Sequence, residues 1–322
     1  MANNGNINLH MSRAEKQDEF YTQISMIEDE LKYYRKHFAG KVVFCNCDDP
    51  AESNFWKYFQ LNFYHLGLKK MISTHYEEDK PSYKLEIVAV ENQNGQIGIP
   101  DYVTTPLKQN GDFRSDECVE IMKEADIIVT NPPFSLFRDY MDLLMKYEKD
   151  FLIIGRGTAA TYKEILPLFL NGKLWLGRNS GHFWFRVPDY YEEKKTDFKI
   201  DENGIKWRRM GNICWFTNLD YKERHENINL FRNYDSVNYP KYDNYDAIDV
   251  NEVKNIPCDY YGVMGVPTTF LTKWNPEQFE ILGSSRYHDG SMEANDINFI
   301  NGKGKFTRIL IRRKSSDEDR NE

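Results

Sequence analysis

Residues Thr130, Asn131, Pro132, Pro133 and Phe134 follow directly on the apolar run Ile127, Ile128 and Val129. Two consecutive prolines withdraw two backbone donors, so a strand entering this stretch must end there. Apolar residues at helical spacing resume at about Ser135, which makes the stretch one strand–turn–helix unit of an alternating α/β chain. Ligands of open α/β sheets bind beyond the carboxyl ends of the strands. There the turn leaves an amide (Asn131), a proline carbonyl and an aromatic ring (Phe134). An amide oxygen and a carbonyl can together accept both hydrogens of an exocyclic amine, while a ring stacks on the heterocycle that carries it. The stretch therefore suits a planar amino-bearing substrate, such as a base turned out of a duplex. Asn-Pro is also an ordinary turn starter, so the motif gains weight only if a cofactor-binding half lies upstream.

Upstream, Ile24, Ile27, Leu31, Tyr34 and Phe38 predict one face of an amphipathic helix stopped by Gly40. Asp18 to Thr22 precedes it as a helix entry with Thr22 as cap. Val42 to Cys45 predicts a short buried strand running into Asn46-Cys47-Asp48-Asp49-Pro50. Asp49 as N-cap, Pro50 in the first turn and Glu52 behind them match a capping box. That leaves Asp48 at the end of the first strand, placed to hold a cationic amine or ribose hydroxyls. A helix burying Phe55, Phe59, Phe63 and Leu66 stops at Gly67, and a strand over Lys69 to Ser73 follows. Tyr83 to Thr105, broken at Asn94-Gly95, predicts a β hairpin inserted into the sheet order. Gly111-Asp112-Phe113 leads into a helix from Ser115 to Glu124 capped by Ser115. Asp112 can serve a turn or accept from a ligand amine. Beyond the proline turn a helix carries Leu136, Tyr140, Leu143 and Tyr147 inward, and Phe151 to Ile154 forms another strand. Repeated alternation of this kind implies a mostly parallel, doubly wound sheet.

The 322 residues hold one large α/β domain and a smaller one, and 40% hydrophobic with 29% charged residues predicts a packed globular chain. No apolar run is long enough to span a bilayer. Met1 to His10 is polar, lacks a signal-peptide core, and predicts a frayed start and a cytoplasmic location. The five cysteines show neither Cys-x-x-Cys nor a zinc-like spacing, so no metal is expected. A net charge of −8 excludes a uniformly basic nucleic-acid binder but leaves room for a local basic cleft. After about residue 172 aromatics become dense and helical periodicity fades. Leu174 to Leu176, His182 to Val187 and Asn212 to Asn218 read as strands, and Asp189 to Asn203 as a mobile charged loop. From Tyr221 a Tyr-, Asn- and Asp-rich stretch predicts a folded, irregular module. Lys303 to Lys314 carries six basic residues and no acid around a strand-like centre, Phe306 to Ile311. It reads as a solvated strand end or as a phosphate contact. The tail Ser315 to Glu322 is expected to be disordered. No glycine-rich phosphate loop occurs, which disfavours a dinucleotide oxidoreductase.

Taken together, Asp18 to Thr22, Phe44 to Pro50, Asn110 to Arg114, Thr130 to Phe137, Gly211 to Asp220 and Val263 to Phe270 resemble the EcoRI-type DNA adenine-N6 methyltransferase family over nearly the whole chain. The resemblance implies an α/β, Rossmann-like fold: a seven-stranded, mostly parallel methyltransferase sheet in residues 1–220, with a mixed target-recognition region in 221–322. It implies methyl transfer from S-adenosylmethionine to the N6 amine of a flipped adenine in double-stranded DNA. A restriction endonuclease acting on the same site is an expected partner. Carried over by position, Asn131 and the Pro132 carbonyl hold the amine, Pro133 completes the turn and Phe134 stacks on the base. Phe20, Tyr21 and Thr22 cover the methionine end of the cofactor. Asn46 and Asp48 occupy its first-strand position, and Asp112 with Phe113 its adenine side. Trp215 or Phe216 supplies a second wall for the base. Lys206, Arg208, Arg209, Arg312 and Arg313 are candidates for DNA phosphate contact. Two departures from amino-methyltransferases at large stand out: Asn46-Cys47-Asp48 replaces a glycine-rich turn, and Thr74-His75-Tyr76 replaces the acid that ends strand two. An RNA or protein-glutamine methyltransferase using the same turn, and an inactive DNA-masking protein, are the alternatives.

Overall fold

The computed structural model describes residues 21–47, 49–78, 80–90, 100–288, 291–293 and 295–314. Phe20, Asp48, the Asn94-Gly95 turn and the tail from Ser315 lie outside the described residues. By backbone packing the chain divides into two units, residues 1–156 with 179–219, and residues 157–178 with 220–322.

In the first unit the elements run α1 (Ile24–Leu31), β1 (Val42–Cys45), α2 (Asn54–Asn62), β2 (Lys70–Thr74), β3 (Tyr83–Val88), β4 (Asp101–Pro106), α3 (Asp116–Glu124), β5 (Ile127–Thr130), α4 (Phe137–Lys146) and β6 (Asp150–Arg156). Then come β7 (Trp175–Arg186, after the short helix α5, Leu166–Leu170, of the second unit), β8 (Phe198–Ile200) and β9 (Lys206–Thr217). They form one nine-stranded sheet in the order β4-β3-β2-β1-β5-β6-β9-β7, with β8 paired to β9. The middle strands β2, β1, β5 and β6 are mutually parallel. β3 and β4 add antiparallel on one side, and β9 lies antiparallel to β6 on the other. The Rossmann-like α/β expectation therefore holds. The strand count is nine rather than seven because Asp101–Pro106 and Phe198–Ile200 pair as additional strands. β1 and β5 are buried along their whole length, as parallel strands covered on both faces must be.

Several local expectations shift. Thr22 does not cap α1; Gln23 stands at that position and contributes no side-chain cap. Asp49 and Pro50 do not open α2. Ser53 does, its hydroxyl accepting from the Phe55 and Trp56 amides at 3.1 and 3.3 Å. Asp49 instead builds the preceding turn, accepting from Ala51 N at 2.9 Å. The core face of α4 is Phe137, Tyr140, Met141 and Leu144; of the expected Leu136, Tyr140, Leu143 and Tyr147, Tyr140 is buried and the other three are half-buried. A short 3₁₀ turn over Phe134–Leu136 precedes the helix. The segment expected to be a mobile loop, Asp189 to Asn203, contains β8 and is tied to β9 by hydrogen bonds. Glu30 on α1 is fully buried; its carboxylate accepts from Tyr34 Oη at 2.9 Å and from Asn179 N and Nδ2, each at 2.8 Å.

The second unit is built on a four-stranded sheet, β10 (Ala247–Asp249), β11 (Val263–Pro267), β15 (Arg308–Arg313) and β12 (Phe279–Ser284), in that spatial order. A hairpin of β13 (Phe299–Ile300) and β14 (Lys303–Gly304) is pinned by Asp243, which accepts from Asn301 N and Gly302 N at 2.7 and 2.8 Å. Arg308, expected within an outward basic stripe, is buried. Its Nε donates to Asp249 at 3.0 Å, and Tyr242 donates to the same oxygen at 2.7 Å. The Arg224 guanidinium lies 4.1 Å from the Trp175 ring and 5.4 Å from that of Trp274. His225 sits between Asp220 and Glu277, 2.8 and 3.1 Å from their oxygens. The Asp220 hydrogen bond raises the His225 pKa above its ordinary 6.5 against the opposing effect of burial, with Glu277 adding to the rise.

Ser53→Ala should cost about 1 kcal/mol of stability, read as a lowered urea midpoint; an unchanged midpoint would return the cap to Asp49. The imidazolium of His225 contributes stability fully below pH 6.5, and that contribution fades as pH rises through its raised pKa. An NMR titration should place the midpoint above 6.5, and Asp220→Asn should bring it down.

Candidate active site

Because β1, β2, β5 and β6 run parallel, their carboxyl ends open on one edge of the sheet. Asn46 follows β1, His75 follows β2 and Asn131 follows β5. The pairing of Phe44 with Ile128 sets the two central turns side by side. A hydrogen bond joins them, from Cys47 N to Thr130 Oγ1 at 3.1 Å. Asn131 is buried, 7% exposed, on the chain that leaves this bond. The Pro133 carbonyl accepts from Leu136 N at 3.0 Å and so starts the 3₁₀ turn. That turn sets the half-buried Phe134 ring outward, with the Arg156 guanidinium 5.8 Å from its centroid. Gly155 makes room for the helix behind: a Cβ there would come within 2.5 Å of the Phe137 ring.

The Asn110–Phe113 loop lies against the end of β2. Gly111 has φ +82°, and a Cβ on it would meet the His75 carbonyl oxygen at 1.9 Å. Phe113 is buried and meets Tyr140 edge-on at 5.0 Å. Burial alone would push the Asp112 carboxyl pKa up. Arg114 outweighs it, through side-chain bonds of 2.9 and 2.7 Å and its backbone N–H at 2.8 Å, and holds the carboxylate below its usual range. Asp112 is thus an ionised acceptor held through both oxygens by Arg114. His75, standing where an acid was expected, stacks on Tyr83 at 5.0 Å. Its Nε2 lies 3.4 Å from Asp49 Oδ2, so a carboxylate from the first turn reaches the end of the second strand.

Sequence reasoning missed what lies beneath the first turn. Tyr140, expected only as core, donates its buried phenol to Asn46 Oδ1. Asn46 is 3% exposed, and its Nδ2 has no hydrogen-bond partner among the described residues. The Thr22 hydroxyl is likewise buried and unsatisfied. Thr22 is held at the head of α2, its carbonyl accepting from Asn54 Nδ2 at 2.7 Å. Tyr21 pairs with Arg186 on β7 through both backbone hydrogen bonds, 2.8 and 3.2 Å. A buried polar atom left unpaired costs roughly 1–3 kcal/mol. Two such atoms, on two of the segments singled out for a cofactor, fit a ligand that brings their partners. The only signal in the sequence was the polar residue directly after a buried strand.

Other expected residues are already engaged with groups of the protein. Trp215 packs edge-on against Phe55 at 6.0 Å, and Phe216 lies 4.9 Å from Phe137. Both are 1% exposed or less and pack among core rings behind the edge. Lys206 Nζ donates to the Asp189 and Tyr191 carbonyls at 2.8 and 3.0 Å. Arg208 donates to the Thr196 and Asp197 carbonyls at 2.5 and 3.1 Å, and Arg209 reaches Asp197 Oδ1 at 3.4 Å. Arg312 faces Glu280 at 3.9 Å, and Arg313 donates to the Cys258 carbonyl with its guanidinium over Tyr261. Among the described residues no group of three His, Cys, Asp or Glu side chains could hold a metal ion, and no helix is long and apolar enough to cross a membrane.

The family model described as adenine-specific methyltransferase EcoRI matches residues 8–314. The chain belongs to the EcoRI adenine-specific methyltransferase family. Type II methyltransferase M.EcoRI of Escherichia coli is 48% identical over 318 residues, covering 95% of this chain and 96% of that protein. Type II methyltransferase M.MgeORF184P of Mycoplasma genitalium is 38% identical over 95% of this chain and 99% of its own. Type II methyltransferase M.MpnI of Mycoplasma pneumoniae is 35% identical over 94% and 96%. The EcoRI-type match covers both units, the described sheet edge included.

Gly111→Ala should destabilise this member of the EcoRI family by about 2–3 kcal/mol, since it adds a left-handed backbone strain to a clash with the His75 carbonyl. Thermal unfolding measures it, and a midpoint within a degree of the parent would contradict the packing described.

Proposed function

We propose that this chain methylates the exocyclic N6 amine of an adenine extruded from duplex DNA, using S-adenosylmethionine. The observation that carries the reading is the Asn131-Pro132-Pro133-Phe134 turn, set beside the Asn46 turn at the carboxyl edge of a parallel sheet. Membership of an adenine-specific family supplies the substrate base. S-adenosylmethionine, when bound, supplies a methyl group on a positively charged sulfur. Its fit rests on the unsatisfied Asn46 Nδ2 and Thr22 Oγ1 and on the ionised Asp112. Asn46, Asp112, Phe113, Tyr21 and Thr22 would hold it, with Phe20 and Asp48 assigned by resemblance alone.

The adenine amine is a weak nucleophile because its lone pair is delocalised into the ring. The Asn131 amide oxygen and the Pro132 carbonyl accept its two hydrogens, which draws the nitrogen toward sp³ geometry and localises that pair. Phe134 stacks on the ring and fixes its plane. Fixing amine and methyl carbon near contact and in line removes much of the entropic barrier. Proline matters twice in this turn: neither Pro132 nor Pro133 has an N–H to compete with the substrate for these acceptors.

Residues 1–220 are assigned to cofactor and chemistry and residues 221–322 to DNA recognition. Arg312, Lys303 on β14 and Lys305 contact phosphate; Lys206, Arg208 and Arg209 do so only with groups left over from their bonds to carbonyls and to Asp197. Such contacts set affinity and its salt dependence, while base-edge contacts set the site. A cytoplasmic setting and a cognate endonuclease complete the reading.

Asn131→Ala should lower methyl transfer by ~10²–10³-fold or more, with S-adenosylmethionine affinity retained. Radioactive methyl transfer to duplex DNA and calorimetry of cofactor binding test it together. Near-normal turnover would remove Asn131 from its role, and a digest of methylated DNA lacking N6-methyladenine would remove the substrate assignment.

A further inference from the structure

We propose that Tyr140 is a positioning residue that fixes the polarity of the Asn46 amide, so that Asn46 presents a hydrogen-bond donor, and not an acceptor, to the cofactor. The inference rests on the reading of this edge as the cofactor side of a methyltransferase. An asparagine amide can rotate by half a turn and exchange oxygen for nitrogen at nearly constant shape. What its neighbours donate or accept decides which end faces a ligand. Here the Tyr140 phenol donates to Asn46 Oδ1, and the Cys47 thiol points at the same oxygen from 3.6 Å. The Tyr140 side chain is completely buried and braced edge-on by Phe113. Burial holds its pKa well above 10, so the phenol keeps its proton across the working range. With the oxygen engaged, Nδ2 is the end left over, and it is buried with no partner among the described residues.

A buried N–H demands an acceptor: a carboxylate oxygen, a ribose oxygen or a ring nitrogen lone pair. This accounts for the unusual first turn. A glycine-rich turn offers backbone N–H groups to its ligand; Asn46-Cys47-Asp48 offers a side-chain N–H in their place, aimed by a tyrosine 94 residues away in sequence. Net charge alone predicts the opposite preference, because an aspartate at position 46 would attract a cofactor that carries a sulfonium and an ammonium.

The test uses the full chain and calorimetry with S-adenosylmethionine and S-adenosylhomocysteine. Asn46→Asp should weaken both by at least ~10-fold despite its added negative charge, and Asn46→Ala, which removes the donor without adding charge, by ~5–10-fold. Tyr140→Phe should weaken both by ~3–10-fold and raise KM more than it lowers kcat. In the Tyr140→Phe background the loss from Asn46→Asp should shrink, because the amide is no longer held one way round; a merely structural defect would leave that loss unchanged. Equal or tighter binding by Asn46→Asp, or strict additivity of the two substitutions, overturns the proposal while leaving the proposed function intact. Failure of the parent chain to bind S-adenosylmethionine overturns the proposed function and this inference with it.

Discussion

The active edge depends on one contact, the parallel pairing of β1 with β5. Both strands are four residues long and wholly buried, and their register places Phe44 opposite Ile128. From there each chain takes only a few residues to its turn, and the Cys47 N–H bond to Thr130 ties the two turns together. The amide assigned to the substrate and the amide assigned to the cofactor are therefore positioned by backbone pairing and not by flexible loops. Rigid elements hold reacting groups to the tolerance that transfer chemistry needs. A register slip of one residue would invert every side chain of β5 and send Ile128 to the opposite face. The continuous apolar burial on both sides makes such a slip costly.

Much of this was legible in the sequence, for reasons that can be named. The proline pair marks a strand end without ambiguity, since no ladder survives two missing donors. Short apolar runs such as Val42–Cys45 and Ile127–Thr130 read as buried parallel strands, and both are. Failures came where two local rules competed. Asp49-Pro50 and Ser53 both satisfy the statistics of a helix start. Packing of Phe55 and Phe59 decided for Ser53, with Asp49 turned toward His75. The face of α4 was read only in part: a 3₁₀ turn over Phe134–Leu136 precedes the helix, and Phe137, Met141 and Leu144 join the expected Tyr140 in the core. The β8 strand hides in a charged stretch whose backbone carbonyls accept from Lys206 and Arg208 on the neighbouring strand β9, a partner that periodicity cannot show.

Charge was the least reliable guide. Six basic residues without an acid looked like an outward stripe, yet Arg308 is a core residue balancing Asp249, and Arg313 is committed to a carbonyl. Arginine serves as readily to satisfy buried acceptors as to meet phosphate. Conversely, the tyrosine that donates to Asn46 at the sheet edge looked like one more apolar contact on a helix. A phenol buries well on shape alone, and its hydrogen-bond partner, at the end of another strand, is visible only in three dimensions.

The buried carboxylate of Glu30 has a consequence for how the chain is made. Its partner Asn179 lies 149 residues downstream. Until the residues between them are added, the Glu30 carboxylate on α1 has Tyr34, four residues on, as its partner but lacks both Asn179 donors. The amino-terminal part of the sheet completes this contact only once Asn179 is present. Contacts of such long sequence separation slow folding and expose apolar surface meanwhile.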